Sequence, residues 1–113
     1  MSKVHYPGLS THPDHTTAKE LLNCGLGTMV SFVLKGGHEN LNTFLRDAEN
    51  IPYGPTLGDV ATMLIVSAVS SHCELDRSER LKLGIEDNLI RVSVGIESFE
   101  IIRDDFLEAL DAA

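Results

Sequence analysis

Basic residues are scarce in this sequence. Its 113 residues include nine lysines and arginines against 17 aspartates and glutamates, for a formal net charge of -8. Nucleic acids and anionic membranes are bound by basic faces, so neither is expected as a partner. No apolar run approaches the ~20 residues that span a bilayer. The start of the chain also lacks the apolar core of a signal peptide.

Cysteine is also scarce. Cys24 and Cys73 are too few for a disulfide framework, and we interpret them as two reduced thiols of a cytoplasmic protein. A zinc site needs about four converging ligands. Here the close-spaced candidates are only His12 with His15, and His72 beside Cys73. No metal is therefore expected.

Two common catalytic motifs are missing as well. The sequence has no Gly-x-Ser-x-Gly nucleophile elbow. Gly25-Leu26-Gly27 follows a predicted helix rather than a strand, and it lacks the third glycine of a dinucleotide fingerprint. Neither class of site is expected.

The length leaves room for one domain with one modest core. Apolar periodicity predicts strands near 4–6, 28–34, 63–66 and 88–97, with helices near 13–24, 38–48, 76–83 and after Ser98. The run at 63–66 could also be helical, and prolines and glycines make 49–58 irregular. This order predicts an α+β fold, a small and mostly antiparallel sheet with helices packed on one face.

The helix ends and faces can also be predicted. Pro13 suits a first turn capped by Ser10 or Thr11, and Gly25 suits the position just after that helix. In the last helix the predicted apolar stripe consists of Phe99, Ile102, Phe106, Ala109 and Leu110.

The stretch 88–97 contains the most informative residue. Its aliphatic residues predict a strand buried on both faces, and Arg91 lies in its middle. Burying a guanidinium is costly unless an anion meets it. Two alternatives follow: a structural ion pair with an acid of the chain, or a two-pronged clamp on the carboxylate of a ligand.

Five segments, in the right order, resemble one enzyme family. Residues 84–97, Gly-Ile-Glu-Asp-Asn-Leu-Ile-Arg-Val-Ser-Val-Gly-Ile-Glu, resemble the C-terminal signature of the Cys/Met-metabolism enzymes that use pyridoxal phosphate. That family includes cystathionine γ-synthase, cystathionine lyases, methionine γ-lyase and O-acetylhomoserine sulfhydrylase. The other similar segments are Tyr6-Pro7-Gly8-Leu9 with His12-Pro13-Asp14-His15, Met29 to Gly37, Thr56-Leu57-Gly58-Asp59-Val60, and Ser71-His72.

The resemblance implies roles for three residues. Arg91 would bind the α-carboxylate of the amino-acid substrate. Thr56 and Leu57 match a Ser-Leu-Gly loop whose serine lies beside that carboxylate and the cofactor-bearing lysine. Threonine keeps the hydroxyl but adds a methyl group that narrows the pocket. By its residues alone, Thr56 would be interpreted as a turn residue before Gly58.

The rest of a pyridoxal-phosphate site has no match in this sequence. Such a site needs a Schiff-base lysine, an acid for the pyridine nitrogen, an aromatic over the ring and a phosphate cradle. The resemblance implies that these belong to a preceding large domain, because none of the four lysines has the cofactor-lysine context. We therefore expect residues 1–113 to be a single C-terminal substrate-binding domain with no cofactor bound to this chain by itself.

The parent enzyme would be of the O-acetylhomoserine sulfhydrylase or cystathionine γ-synthase type. Its expected partners are an amino-acid substrate and the large domain, and an isolated domain should self-associate through exposed apolar surface. The alternative is a stand-alone amino-acid-binding or regulatory α+β module without catalysis.

Overall fold

The computed structural model describes residues 1–55 and 58–113. Within these ranges, strands and helices alternate along the chain. Their order and bounds are β1 (Lys3–His5), α1 (His15–Leu21), β2 (Met29–Val33), α2 (His38–Asp47), β3 (Met63–Val66), α3 (Arg77–Lys82), β4 (Leu89–Ser93) and α4 (Phe99–Ala112).

The four strands form one antiparallel sheet in the order β1-β2-β4-β3. β4 comes last in the sequence but lies inside the sheet, with β2 on one side and β3 on the other. The register places Arg91 of β4 between Ser31 of β2 and Ile65 of β3. The central strand therefore depends on partners that are distant in the sequence.

The core lies between one face of the sheet and the helices α2 and α4. Side chains alternate between the faces of a strand, and on β4 it is Ile90 and Val92 that enter the core. Phe44 of α2 and Ala109 of α4 are fully buried in the same cluster. Arg91, between Ile90 and Val92, consequently faces the other side of the sheet.

Three phenylalanines join the layers of this core. The ring of Phe32 meets those of Phe44 and Phe106 edge-on, with centroids 5.8 and 6.2 Å apart. Phe44 and Phe106 are stacked with centroids 6.3 Å apart. Aromatic pairs at such distances stabilise a core beyond the burial of their area, so this cluster fixes α2 and α4 against the sheet.

The structure confirms the predicted α+β architecture, and it confirms a strand rather than a helix at 63–66. Ser98 caps α4 as predicted, since its hydroxyl accepts a hydrogen bond from the Ile101 N–H. The helix α3 ends just before Gly84, whose φ of +78° lies in the left-handed region that favours glycine.

Two local predictions were wrong. The cap of α1 is Asp14, without a side-chain bond, and the helix ends at Leu21, well before Gly25. Phe99 does not join the apolar stripe of α4, because it precedes the turn that reaches the sheet and is 70% exposed.

The described part of the segment predicted to be irregular contains no helix or strand. Within it, Tyr53 forms an isolated parallel bridge with Leu64 of β3.

In residues 1–55 and 58–113, no helix is long and apolar enough to cross a membrane.

We predict that Phe44→Ala lowers the free energy of unfolding by about 3–5 kcal/mol, because it leaves a cavity in the aromatic cluster. The matched control is Phe99→Ala, which removes an exposed ring and should cost less than about 1 kcal/mol. Urea denaturation measures both values. Similar losses for the two variants would contradict this description of the core.

Candidate functional site

Arg91 lies on a face of the sheet whose burial is mixed. On this face Val33, Ile65, Leu89 and Ser93 are buried, whereas Arg91, Ser31, Met29 and Met63 are half-buried. Backbone pairing on both sides of β4 holds the Cα of Arg91 in place. Its side chain therefore projects from a rigid base and is partly exposed.

A loop from elsewhere in the sequence reaches the same end of the sheet. Met29, Ser93 and Met63 lie side by side there, because β4 ends where β2 and β3 begin. Residues 58–62 lead directly into Met63. The fold thus brings the end of the Thr56–Val60 segment to the Arg91 end of the sheet. Thr56 and Leu57 themselves lie outside the described residues.

The loop is tied to the chain after β4 by a set of short hydrogen bonds. The Glu97 carboxylate accepts one from the Thr62 N–H at 2.6 Å and one from the Thr62 hydroxyl at 2.8 Å. The same hydroxyl accepts one from the Gly95 N–H at 2.9 Å. The Ile96 N–H donates to the Val60 carbonyl, also at 2.9 Å. We call Val60, Thr62, Gly95, Ile96 and Glu97 the loop clamp.

The hydrogen bonds of the loop clamp favour the charged form of Glu97. They lower the pKa of its carboxyl, chiefly through the Thr62 backbone N–H and then through its own N–H and the Thr62 hydroxyl. Sequence reasoning missed this role. Glu97 could have been singled out, because Gly95-Ile96-Glu97 ends the signature segment. Nothing in the sequence indicates that Glu97 contacts Thr62.

The preceding part of the loop is held against β3. The Gly54 N–H donates to the Leu64 carbonyl, and the Leu64 N–H donates to the Pro52 carbonyl, both at 3.0 Å. This adds a short parallel pairing to the outer edge of β3. The segment 55–61 therefore has both of its ends hydrogen-bonded to the sheet or to the chain that leaves it.

A second arginine, Arg80, is buried and is bonded to a half-buried acid. Its Nη2 donates to Asp87 Oδ1 at 2.7 Å, and Arg77 Nε donates to Asp87 Oδ2 at the same distance. These bonds lower the pKa of Asp87, with that from Arg77 first. The sequence predicted a helix near 76–83 but did not indicate this pair, which fastens α3 to the residues before β4.

A cleft of about 480 Å³ lies at the other end of the sheet. Its polar lining mixes both signs of charge, with Lys35 and Arg77 near Glu86 and Asp87, and Arg91 does not line it. Opposite charges this close offer no net attraction for a carboxylate. The Arg91 end remains the better candidate.

The histidines and cysteines of the described residues do not form a cluster that could bind a metal ion. In the described parts of the chain, no three His, Cys, Asp or Glu side chains are grouped so that they could hold a metal ion. His15 Nδ1 lies 2.8 Å from the Pro7 carbonyl, and His72 Nδ1 lies 2.8 Å from the Ser71 hydroxyl. Cys24 and Cys73 are both free and exposed.

The residues of this chain do not fit a pyridoxal-phosphate site by themselves. A Schiff-base lysine needs a sheltered position beside an acid and an aromatic ring. All four lysines, which are Lys3, Lys19, Lys35 and Lys82, are exposed in the structure. No chemical step through that cofactor can be assigned to the described residues alone.

The fold defines a class of protein, an α+β domain with a four-stranded antiparallel sheet and an arginine on its central strand. Residues 1–111 match the model of one family, described as Cys/Met metabolism PLP-dependent enzyme. The chain belongs to this family, which confirms the resemblance noted in the sequence.

Curated relatives agree with the family. The chain is 42% identical over 113 residues to cystathionine gamma-synthase 1, chloroplastic, of Arabidopsis thaliana, covering 99% of this chain and 20% of the relative. It is 40% identical over 108 residues to cystathionine gamma-lyase of Bacillus subtilis (strain 168), covering 96% of this chain and 28% of the relative.

A solved structure shares the fold. Cystathionine gamma synthase from Xanthomonas oryzae pv. oryzae, in complex with cystathionine, superposes with a TM-score of 0.92 at 33% identity. The superposition covers 98% of this chain and 28% of that one. The chain thus spans between a fifth and somewhat over a quarter of the length of these proteins.

We predict that Asp87→Asn lowers the free energy of unfolding at pH 7 by about 1–3 kcal/mol, because it weakens two charge-assisted hydrogen bonds and leaves Arg80 without its anion. The matched control is Asp104→Asn, in an exposed pair with Arg103, which should cost under about 1 kcal/mol.

The bonds of Asp87 to Arg77 and Arg80 also predict that the free energy of unfolding depends on pH. A carboxyl whose pKa is lowered by folding stabilises the protein above its unfolded value of about 3.9, and this contribution is lost as the pH falls through the folded value. The difference between wild type and Asp87→Asn in urea denaturation should therefore shrink from pH 7 to about pH 3. A constant difference would show that the Asp87 charge does not matter.

Proposed function

We propose that residues 1–113 form the C-terminal, substrate-binding domain of a pyridoxal-phosphate-dependent enzyme of trans-sulfuration or sulfhydrylation. In this proposal Arg91 binds the α-carboxylate of an amino-acid substrate, with Thr56 and Leu57 in the adjoining loop. The parent reaction is of the cystathionine γ-synthase or O-acetylhomoserine sulfhydrylase type. The exposed thiols of Cys24 and Cys73 suit a cytoplasmic location.

The observation that carries the proposal is the position of Arg91. It lies on the strand that is paired on both sides, faces away from the helical core, and is half-buried, so part of the side chain is exposed. A guanidinium in partly desolvated surroundings binds a carboxylate more strongly than one in open water, and its fork sets the direction of approach.

The loop supports the same assignment. Residues 58–62 reach the Arg91 end through the loop clamp, although they are about 30 residues away in the sequence. Thr56 precedes this anchored portion by two residues. A hydroxyl and backbone N–H groups there would add donors to those of Arg91.

The cofactor chemistry then belongs to another part of the protein. The family uses pyridoxal phosphate, and when bound it acts as an electron sink for carbanions of amino acids. The relatives are about four times as long as this chain, so we propose that a large cofactor-bearing domain is its principal partner. The four exposed lysines support this division of labour.

The test is a hybrid enzyme in which this chain replaces the matching segment of Bacillus subtilis cystathionine gamma-lyase. The hybrid should be active on L-cystathionine, and Arg91→Ala should lower kcat/KM by about two orders of magnitude, since each charge-assisted hydrogen bond contributes roughly 1.5–3 kcal/mol. Arg91→Lys should recover part of this loss, because it keeps the charge but not the fork.

Control measurements separate binding from folding. Arg103→Ala removes an exposed arginine with a cation–π contact to Phe99 and should leave kcat/KM unchanged. The thermal midpoint of Arg91→Ala should move little. If Arg91→Ala kept a normal kcat/KM but had a much lower thermal midpoint, Arg91 would be a structural ion-pair partner rather than a substrate-binding residue. Tight binding of an amino acid by the 113-residue chain alone would instead favour a stand-alone module.

We also propose that the isolated chain self-associates. Val60 and Ile96 are neighbours in the loop clamp but are 69% and 85% exposed, and Phe99 is 70% exposed. These side chains form an apolar surface beside the proposed site, which the large domain or a second copy would cover.

Light scattering should therefore find dimers or larger species of the 113-residue chain, and Ile96→Lys should shift them towards monomer. Leu21→Lys changes an equally exposed leucine on α1 and serves as the control. A wild-type chain that stays monomeric at high concentration would contradict this part of the proposal.

A further inference from the structure

Described residues on both sides of Thr56 and Leu57 are hydrogen-bonded to other parts of the fold. Before them, Gly54 and Pro52 are hydrogen-bonded to Leu64. After them, Thr62 is hydrogen-bonded to Gly95 and Glu97, more than 30 residues further along the chain. The first anchor is made by backbone groups at the edge of β3, whereas one acidic side chain provides two of the bonds of the second.

Both the hydroxyl and the N–H of Thr62 take part in this second anchor. Its hydroxyl donates to Glu97 and accepts from the Gly95 N–H, and its own N–H donates to the other oxygen of Glu97. The residue is 3% exposed. A buried hydroxyl and a buried N–H that lose their partners are costly, so the geometry around Thr62 depends on the Glu97 carboxylate.

Because Gly95 has no side chain, the chain after β4 can approach Val60 and Thr62 closely. A Cβ at this position would meet the Glu97 carboxylate, the Thr62 backbone nitrogen and the Val60 carbonyl oxygen. Two of these atoms are backbone, which cannot move aside as a flexible side chain can. The chain after β4 and the end of the loop are therefore packed backbone to backbone.

The Glu97 side chain does not cap the helix that follows. Ser98 is the cap of α4 and accepts the Ile101 N–H, while the Glu97 carboxylate turns towards β3. The other titratable group in this loop, Asp59, accepts a hydrogen bond from the Ala61 N–H. The carboxylate thus joins two strands that are adjacent at the Arg91 end of the sheet.

We propose that Glu97, acting through Thr62, is a positioning residue that holds residues 58–62 in register with Arg91. The role of these residues at the substrate rests on the proposed function, whereas the clamp itself does not. Without the Glu97 carboxylate the Ile96–Val60 backbone bond would remain, but Thr62 would lose both of its bonds to Glu97.

The first experiment uses the 113-residue chain and needs neither substrate nor cofactor. NMR hydrogen exchange is measured at the amides of Thr62, Gly95 and Ile96 in wild type, Glu97→Ala and Thr62→Val. Exchange should become about tenfold faster or more in both variants, since each loses hydrogen bonds to a charged group. Thr62→Ser keeps the hydroxyl and should restore slow exchange.

The matched control is Glu100→Ala, which removes the same charge from the exposed first turn of α4. It reproduces any effect of charge on the helix dipole but leaves the loop clamp intact. Exchange at the three amides that is no faster in Glu97→Ala than in Glu100→Ala would overturn the proposal.

The second experiment uses the hybrid enzyme. Glu97→Ala should lower kcat/KM for L-cystathionine by about tenfold to a hundredfold, because small misplacements of binding groups have effects of this size. Glu100→Ala should stay near the unmodified hybrid, and the absorbance of the bound cofactor should be unchanged in both variants. A Glu97→Ala hybrid as active as Glu100→Ala would overturn the positioning role.

The two proposals fail in different ways. An inactive unmodified hybrid would count against the proposed function, while hydrogen exchange in the chain would still decide whether Glu97 holds the loop. An active hybrid that responds to Arg91→Ala but not to Glu97→Ala would keep the proposed function and reject the positioning role.

Discussion

The hydrogen bonding of β4 along both of its edges is the constraint on which the rest of the structure depends. Through this strand, β2 and β3 become parts of one sheet, although neither contacts the other. Ile90 and Val92 anchor one face of the strand to α2 and α4. Arg91 then projects from the other face of a strand that cannot shift without breaking two ladders and the core together.

The two arginines near β4 differ in burial. Arg80 is nearly buried and has the Asp87 carboxylate as a partner within the chain, which suits a structural role. Arg91 is half-buried and projects from β4 on the face turned away from α2 and α4.

Membership in the Cys/Met metabolism family explains why the chain combines a well-built sheet with an incomplete set of catalytic groups. It spans only 20–28% of the relatives it matches. All four lysines of this part are exposed, as expected of a domain that does not bear the cofactor by itself.

Local pattern by itself determined most of the element order of this protein. The apolar run Met63–Val66, the spacing of Leu41 and Phe44, and the Ser98 cap are short-range signals, and each was confirmed. The sequence also singled out Arg91, because a charge in an apolar strand is conspicuous. Tertiary structure alone decided that β4 is central, that Asp87 belongs to Arg80, and that Glu97 reaches Thr62. The physical reason is that hydrogen bonds between residues tens of positions apart depend on how the strands are ordered in the sheet, and strand order leaves no trace in local periodicity.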